Sequence, residues 1–140
     1  MCIRIARQSL EKVKRRMRQL TRRNGGRAIE AVRDQLNRYI SGWVNYYALA
    51  DARTHMQTLD EWLRRRLRQI LWKQWKTPAN RHRNLRQLGV SEFWAIRAAG
   101  TSKGVWRLAA SPPLHKALGI AYWQQFGLKG FEQQYLLRHT

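Results

Sequence analysis

The chain has 140 residues, 44% of them hydrophobic and seven of them tryptophan, enough apolar surface for one packed domain and too much for a disordered basic tail. Against 8 acidic residues stand 28 lysines and arginines, a formal net charge of +20 that repels itself in a compact state and points to a polyanionic partner, nucleic acid above all. The single cysteine, Cys2, excludes an internal disulfide and a thiolate metal cluster and fits a reducing, cytoplasmic setting, and no apolar run approaches a membrane span.

In chain order, Ser9 is the expected N-cap of a first helix that places Leu10, Val13, Met17 and Leu20 at helical spacing. Its other faces carry Lys12, Lys14, Arg15, Arg16, Arg18, Arg22 and Arg23, and Asn24–Gly26 supply residues that tolerate the left-handed turn ending a helix. In the second helix Ile29, Val32, Leu36, Tyr39, Ile40, Trp43 and Tyr47 form one apolar stripe. Gly42 weakens that helix, which a close helix crossing would explain. "ADART", from Ala50, connects to a third helix in which Leu59, Leu63, Leu67 and Ile70 align, flanked by Met56, Trp62 and Leu71. Arg64, Arg65, Arg68 and Lys76 fall on its far side, and so do Trp72 and Trp75. "TPANRHRN" predicts a turn at Pro78 and a short basic helix ending at Gly89. Ser91 caps a second short helix, "EFWAIRAA", which Gly100 ends. "TSKG" is a loop, "VWRLA" is ambiguous, Ser111 caps a helix with Pro112 in its first turn, and one or two helices follow, broken around Gly127 to Gly130. With no repeat and no strand alternation, the expected fold class is all-α. Three longer basic helices over residues 1–76 form a bundle, and several short helices over 77–140 complete the domain.

The basic runs "KRRMR" and "RRRLR" carry the main functional signal. Helix backs built only for solubility alternate sign to gain i,i+4 pairs; these runs do not, and their cations suit phosphates. Lys73, between the tryptophans, belongs with them. Trp72 and Trp75 stack on unpaired bases if exposed, or are buried where the short C-terminal helices fold back over them; burial is favoured because large aromatics are mostly buried. Lys103 in "TSKG", with Arg107 behind it, reads either as a phosphate-contacting loop or as a plain surface turn. For catalysis the residues speak against an enzyme. The eight carboxylates are scattered and mostly on helix exteriors, the four histidines lack metal-ligand spacing, Cys2 has no evident base, and capping explains Ser9, Ser91 and Ser111. No catalytic residue, metal or cofactor is expected.

Read together, "RMRQLTRRNGG", "LNRYISGWVNYYALAD", "LDEWLRRRLRQILWKQWK", "RNLRQLGVSE" and "SPPLHKALGIAYWQQFGL" resemble the maturase-specific domain, also called the X or thumb region, of bacterial group II intron-encoded reverse transcriptases. The resemblance runs from about Ser9 to Leu128. It implies a thumb-like helical bundle that binds intron RNA and favours its active fold, while the RNA itself supplies the splicing chemistry. RNA contacts in the family rest on basic thumb surfaces, so the resemblance makes Arg15, Arg16, Arg18, Arg22, Arg23, Arg64, Arg65, Arg68, Lys73 and Lys76 the candidates. The family's polymerase aspartate pair, of YADD type, is absent here, as is the endonuclease segment some members carry, so polymerase activity does not carry over. The chain is accordingly expected to be a fragment of a decayed intron gene, an excised piece, or a free-standing maturase. Two other readings stand beside intron RNA binding: a DNA-binding module on intron target DNA, and a piece that acts by docking onto a separate reverse-transcriptase fingers/palm polypeptide.

Overall fold

The computed structural model describes residues 5–22, 28–47, 50, 52–100 and 112–138. Among them are eight α-helices and no strand: α1 (Arg7–Leu20), α2 (Ile29–Tyr46), α3 (Arg53–Gln74), α4 (Pro78–Gln87), α5 (Glu92–Ala99), α6 (Pro112–Ala117), α7 (Ile120–Phe126) and α8 (Phe131–Leu137). The fold is all-α, as expected. It divides into two compact units, Met1–Leu63 with Gly127–Thr140, and Arg64–Phe126. The boundary falls inside α3, ahead of the change in sequence texture after Lys76.

In the first unit α1 buries Val13, Met17 and Leu20, the i, i+4, i+7 stripe of a one-sided helix. It starts two residues before Ser9. Ala6 occupies the N-cap position without a side-chain hydrogen bond, so Ser9 lies within the first turn and the predicted cap is not formed. Thr21 closes the helix, its N–H (3.0 Å) and hydroxyl (2.6 Å) both donating to the Met17 carbonyl. The predicted terminator Asn24–Gly26 lies outside the described residues. α2 buries Ile29, Val32, Leu36, Ile40 and Val44, with Tyr39, Trp43 and Tyr47 half-buried at the edges of the stripe. A Cβ on Gly42 would meet nothing within 4 Å among the described residues, so no described helix crosses there and the predicted close approach is absent among them. Gly42→Ala is therefore expected to raise stability by about 0.5–1 kcal/mol through helix propensity alone. A higher urea midpoint at unchanged slope checks this, and a lower midpoint would show that the site is sterically restricted after all.

The C-terminal helix returns to this unit and is held by side-chain clasps. Asp60, buried on α3, accepts the N–H groups of Phe131 at Oδ1 (2.7 Å) and Glu132 at Oδ2 (3.0 Å). It thereby caps α8, whose own N-cap residue, Gly130, has no side chain to do so. A Cβ on Gly130 would stand 2.7 Å from the Asp60 carboxylate, so the approach requires glycine. Asn37 makes a second clasp, donating to the Gly127 carbonyl (2.9 Å) and accepting the Lys129 N–H (2.8 Å). The Tyr135 hydroxyl donates to the Ala50 carbonyl at 2.7 Å. Asp60 is thus an interior carboxylate in a set that reads from sequence as mostly exterior.

In the second unit α3 changes character. Residues Leu67, Arg68, Gln69, Ile70, Leu71 and Trp72 are buried in succession, so the helix here is enclosed all round rather than along one stripe. Lys76 follows the helix at φ +56, the left-handed conformation that ends it. Thr77 then caps α4, its hydroxyl accepting the Asn80 N–H at 3.2 Å, with Pro78 at the start of the helix. α4 ends in a Schellman turn: Val90 N–H bonds the Leu85 carbonyl and Gly89 N–H the Arg86 carbonyl, both at 3.0 Å, with Gly89 at φ +91. Ser91 accepts the Trp94 N–H at 3.5 Å and caps α5. The turn at Pro78, the helix end at Gly89 and the cap at Ser91 all stand where the sequence puts them; Ser111 lies outside the described residues.

Candidate nucleic-acid interface

Burying Val13, Met17 and Leu20 leaves the rest of α1 to solvent, and the residues there are cationic. Arg15, Arg16 and Arg18 are exposed, and Arg22 is exposed just beyond the helix. Arg16 donates to the Gln19 side chain (3.0 Å), and the Arg18 guanidinium lies 5.4 Å from the centroid of the Trp62 ring. The one carboxylate of this helix, Glu11, pairs with Arg7 at 3.4 Å rather than with the arginines of the run. Arg23 lies outside the described residues.

The second unit sorts its predicted residues into two environments. Lys73 and Lys76 are exposed, while Arg64 and Arg65 are half-buried. Arg68, read from the helical wheel as a surface cation, is only 4% exposed. Its Nη1 donates to the Leu118 carbonyl just past α6 (3.3 Å), the same oxygen that accepts the Trp123 indole N–H (3.0 Å). The carbonyl end of a helix attracts a cation, so Arg68 fastens the end of α6 and leaves the candidate surface. Burial pulls its guanidinium down to about 10, with the like charges of Arg64 and Arg65 adding to the effect. That leaves Arg68 charged at neutral pH inside a field of its own sign.

Trp72 is 2% exposed and cannot meet a base. Arg81 covers its ring, 4.8 Å from the centroid, and donates to its carbonyl at 3.1 Å. Burial also lowers the pKa of Arg81. Trp75, with its ring centroid 5.9 Å from that of Trp72, is half-buried. The stacking reading thus loses Trp72, for the reason that also displaces Arg68: a wheel assumes one buried face, and this part of α3 has none exposed. Lys103 and Arg107 lie outside the described residues.

Sequence reasoning finds the helix α5 but passes over its exposed surface. This helix turns Ala95, Ala98 and Ala99 inward and leaves Phe93, Trp94 and Ile96 in solvent with Arg97 beside them. The small-residue spacing i, i+3, i+4 is the signal that could have found it, since small residues let helices approach closely and push larger neighbours outward. No group of three or more His, Cys, Asp or Glu side chains able to hold a metal ion occurs among the described residues, and no helix among them is long and apolar enough to cross a membrane.

The family model for the group II intron maturase-specific domain matches residues 10–89, more than half of the chain. The chain belongs to this family. No curated protein matches it. The match takes in α1 to α4, so the exposed arginines of α1 and the Arg64 and Arg65 cluster both lie within the maturase-specific domain. Membership implies a group II intron maturase-related function. The matched family describes the maturase-specific domain and not a reverse-transcriptase catalytic domain. The part of the resemblance beyond residue 89, including "YWQQFGL", lies past the matched residues.

Proposed function

We propose that this maturase-specific domain binds group II intron RNA through exposed basic helix surfaces and favours the RNA's active fold, without chemistry of its own. The observation that carries the reading is the row Arg15, Arg16, Arg18 and Arg22, exposed over a helix whose opposite side is core. Guanidinium groups bond phosphate oxygens bidentately, and a run of one sign attracts a strand of the other. In the second unit Arg64, Arg65, Lys73 and Lys76 add phosphate partners.

The test is charge reversal on the exposed face, with the buried Arg68 left alone so that folding and binding are read separately. Arg15→Glu combined with Arg22→Glu is expected to weaken binding to intron RNA by about tenfold or more and to flatten its salt dependence, while the melting temperature stays put. Affinity equal to that of the unmodified chain would remove α1 from the interface. Competition between intron RNA and duplex DNA at one salt concentration checks the nature of the partner: RNA is expected to displace DNA, and the reverse order would make the domain a DNA-binding module.

A further inference from the structure

The second unit exposes apolar surface that its core does not need. Phe93 is 55%, Trp94 49% and Ile96 57% exposed on one short helix, α5. Their rings are ordered against each other: Phe93 and Trp94 meet edge to face with centroids 5.2 Å apart, and the Arg97 guanidinium lies 4.1 Å from the Phe93 centroid and 6.0 Å from that of Trp94. Beside Trp94 is a cavity of about 400 Å³, lined among the described residues by Leu88, Val90, Ser91, Ala117 and Lys116 as well as the indole. That volume lies within the range of ordinary ligand sites. Its lining is mainly apolar with one lysine, and Gly89 at φ +91 shapes the wall next to α4.

Charge decides what covers this patch. A second copy of a chain carrying +20 would bring two large like charges together, which opposes self-association. The cations at the patch, Arg97 and Lys116, ask for an anion, and the aromatic faces ask for something flat. The nearby carboxylate, Glu92, is engaged by His82 (2.7 Å) and Arg86 (3.3 Å) on α4. An unpaired nucleotide joins both requirements in one ligand, since its base offers a π-face and its linkage a phosphate.

We propose that α5 and the cavity beside it form a site for unpaired nucleotides of an RNA strand, with a base stacked on Trp94 and the flanking phosphates met by Lys116 and Arg97. The site shares no residue with the basic face of α1. It rests on the RNA-binding reading above and adds a requirement for exposed bases that phosphate contacts alone do not impose.

The test uses the full chain and two probes of equal length at one salt concentration, an unstructured oligouridylate and a fully paired RNA duplex. Trp94→Leu keeps apolar volume and removes the flat face; Trp94→Phe restores a smaller one. Trp94→Leu is expected to weaken oligouridylate binding by roughly 5- to 100-fold, Trp94→Phe to recover most of it, and neither to change duplex binding. An abasic oligomer, with phosphates but no bases, is expected to bind the unmodified chain as weakly as oligouridylate binds Trp94→Leu. Equal oligouridylate affinity in all three proteins would overturn the site while leaving RNA binding by other surfaces intact. An unmodified chain that binds neither probe would instead sink the RNA-binding reading itself. A chain that sediments as a dimer, and as a monomer once Trp94→Leu is introduced, would assign the patch to self-association. Should Trp94→Leu melt early, Lys116→Gln replaces it, with the same split between oligouridylate and duplex expected.

Discussion

Asp60→Ala is expected to lower stability by about 3–5 kcal/mol, a large share of what holds a domain of this size together. Its carboxylate accepts two backbone N–H groups from the first turn of α8 while buried. Each such bond to a charged acceptor contributes about 1.5–3 kcal/mol, and the negative charge at a helix N-terminus adds several tenths. Truncation leaves the buried Phe131 N–H and the part-buried Glu132 N–H without this acceptor, and the buried donor is the expensive case for any polar group. Asp60→Asn keeps the volume, yet turns an amide N–H toward a backbone N–H, and a loss of about 2–3 kcal/mol is expected. Urea melts give the number, and a loss below about 1 kcal/mol in Asp60→Ala would mean the cap does not form in solution. Gly130→Ala offers an independent route to the same contact, because its methyl would stand 2.7 Å from the carboxylate oxygen. The double variant is expected to be clearly less damaged than the sum of the two singles, as for residues that share one interaction.

The second large effect is electrostatic. Between about 50 and 200 mM salt, affinity for intron RNA is expected to fall by roughly 10³ to 10⁵ if six to ten phosphates are neutralised. The slope also counts the surfaces engaged. Four cations on and after α1 (Arg15, Arg16, Arg18 and Arg22) predict a slope near −3.6 in log affinity against log salt. Adding Arg64, Arg65, Lys73 and Lys76 takes it to about −7, on the scale of −0.9 per phosphate. A shallow slope would confine binding to one unit, and a flat one would remove phosphate contacts from the mechanism. Comparison with an unrelated structured RNA at the higher salt separates recognition from simple attraction: a persisting preference for the intron places specificity within the maturase-specific domain, and equal affinities make it a general basic clamp.

Much of this fold is legible in the sequence because helices that bury one side write a period into it. Val13, Met17 and Leu20, or Leu59, Leu63 and Leu67, announce both the helix and the buried side, and Thr77–Pro78 or Ser91 mark helix starts chemically. The same reasoning misplaces Arg68, since residues 67–72 are enclosed on all sides and period carries no information there, whereas Trp72 is buried, the reading the sequence favours. Ser9 is a suitable cap at an unsuitable place, since the helix has already started at Arg7 and Ser9 lies inside its first turn. The role of Asp60 is invisible for another reason: its partners lie 71 and 72 residues further along, and no local pattern ties "LDEW" to "KGFE". The basic face of α1 reads well because it needs only exposure. The α5 patch reads poorly because apolar residues are taken for core by default.

The clasps on the C-terminal helix also set an order of events during synthesis. Asn37, Ala50 and Asp60 wait for partners at Gly127, Lys129, Phe131 and Tyr135, and the whole of the second unit, Arg64–Phe126, is made between Asp60 and Gly127. Residues Arg64–Phe126 form a contiguous stretch that can collapse as it leaves the ribosome, whereas the first unit has to hold its place open until the last few turns emerge. Meanwhile the unclasped surface of α2 and α3, with Trp43 lacking the edge-on ring of Phe131, stands exposed on a nascent chain that already carries most of its positive charge.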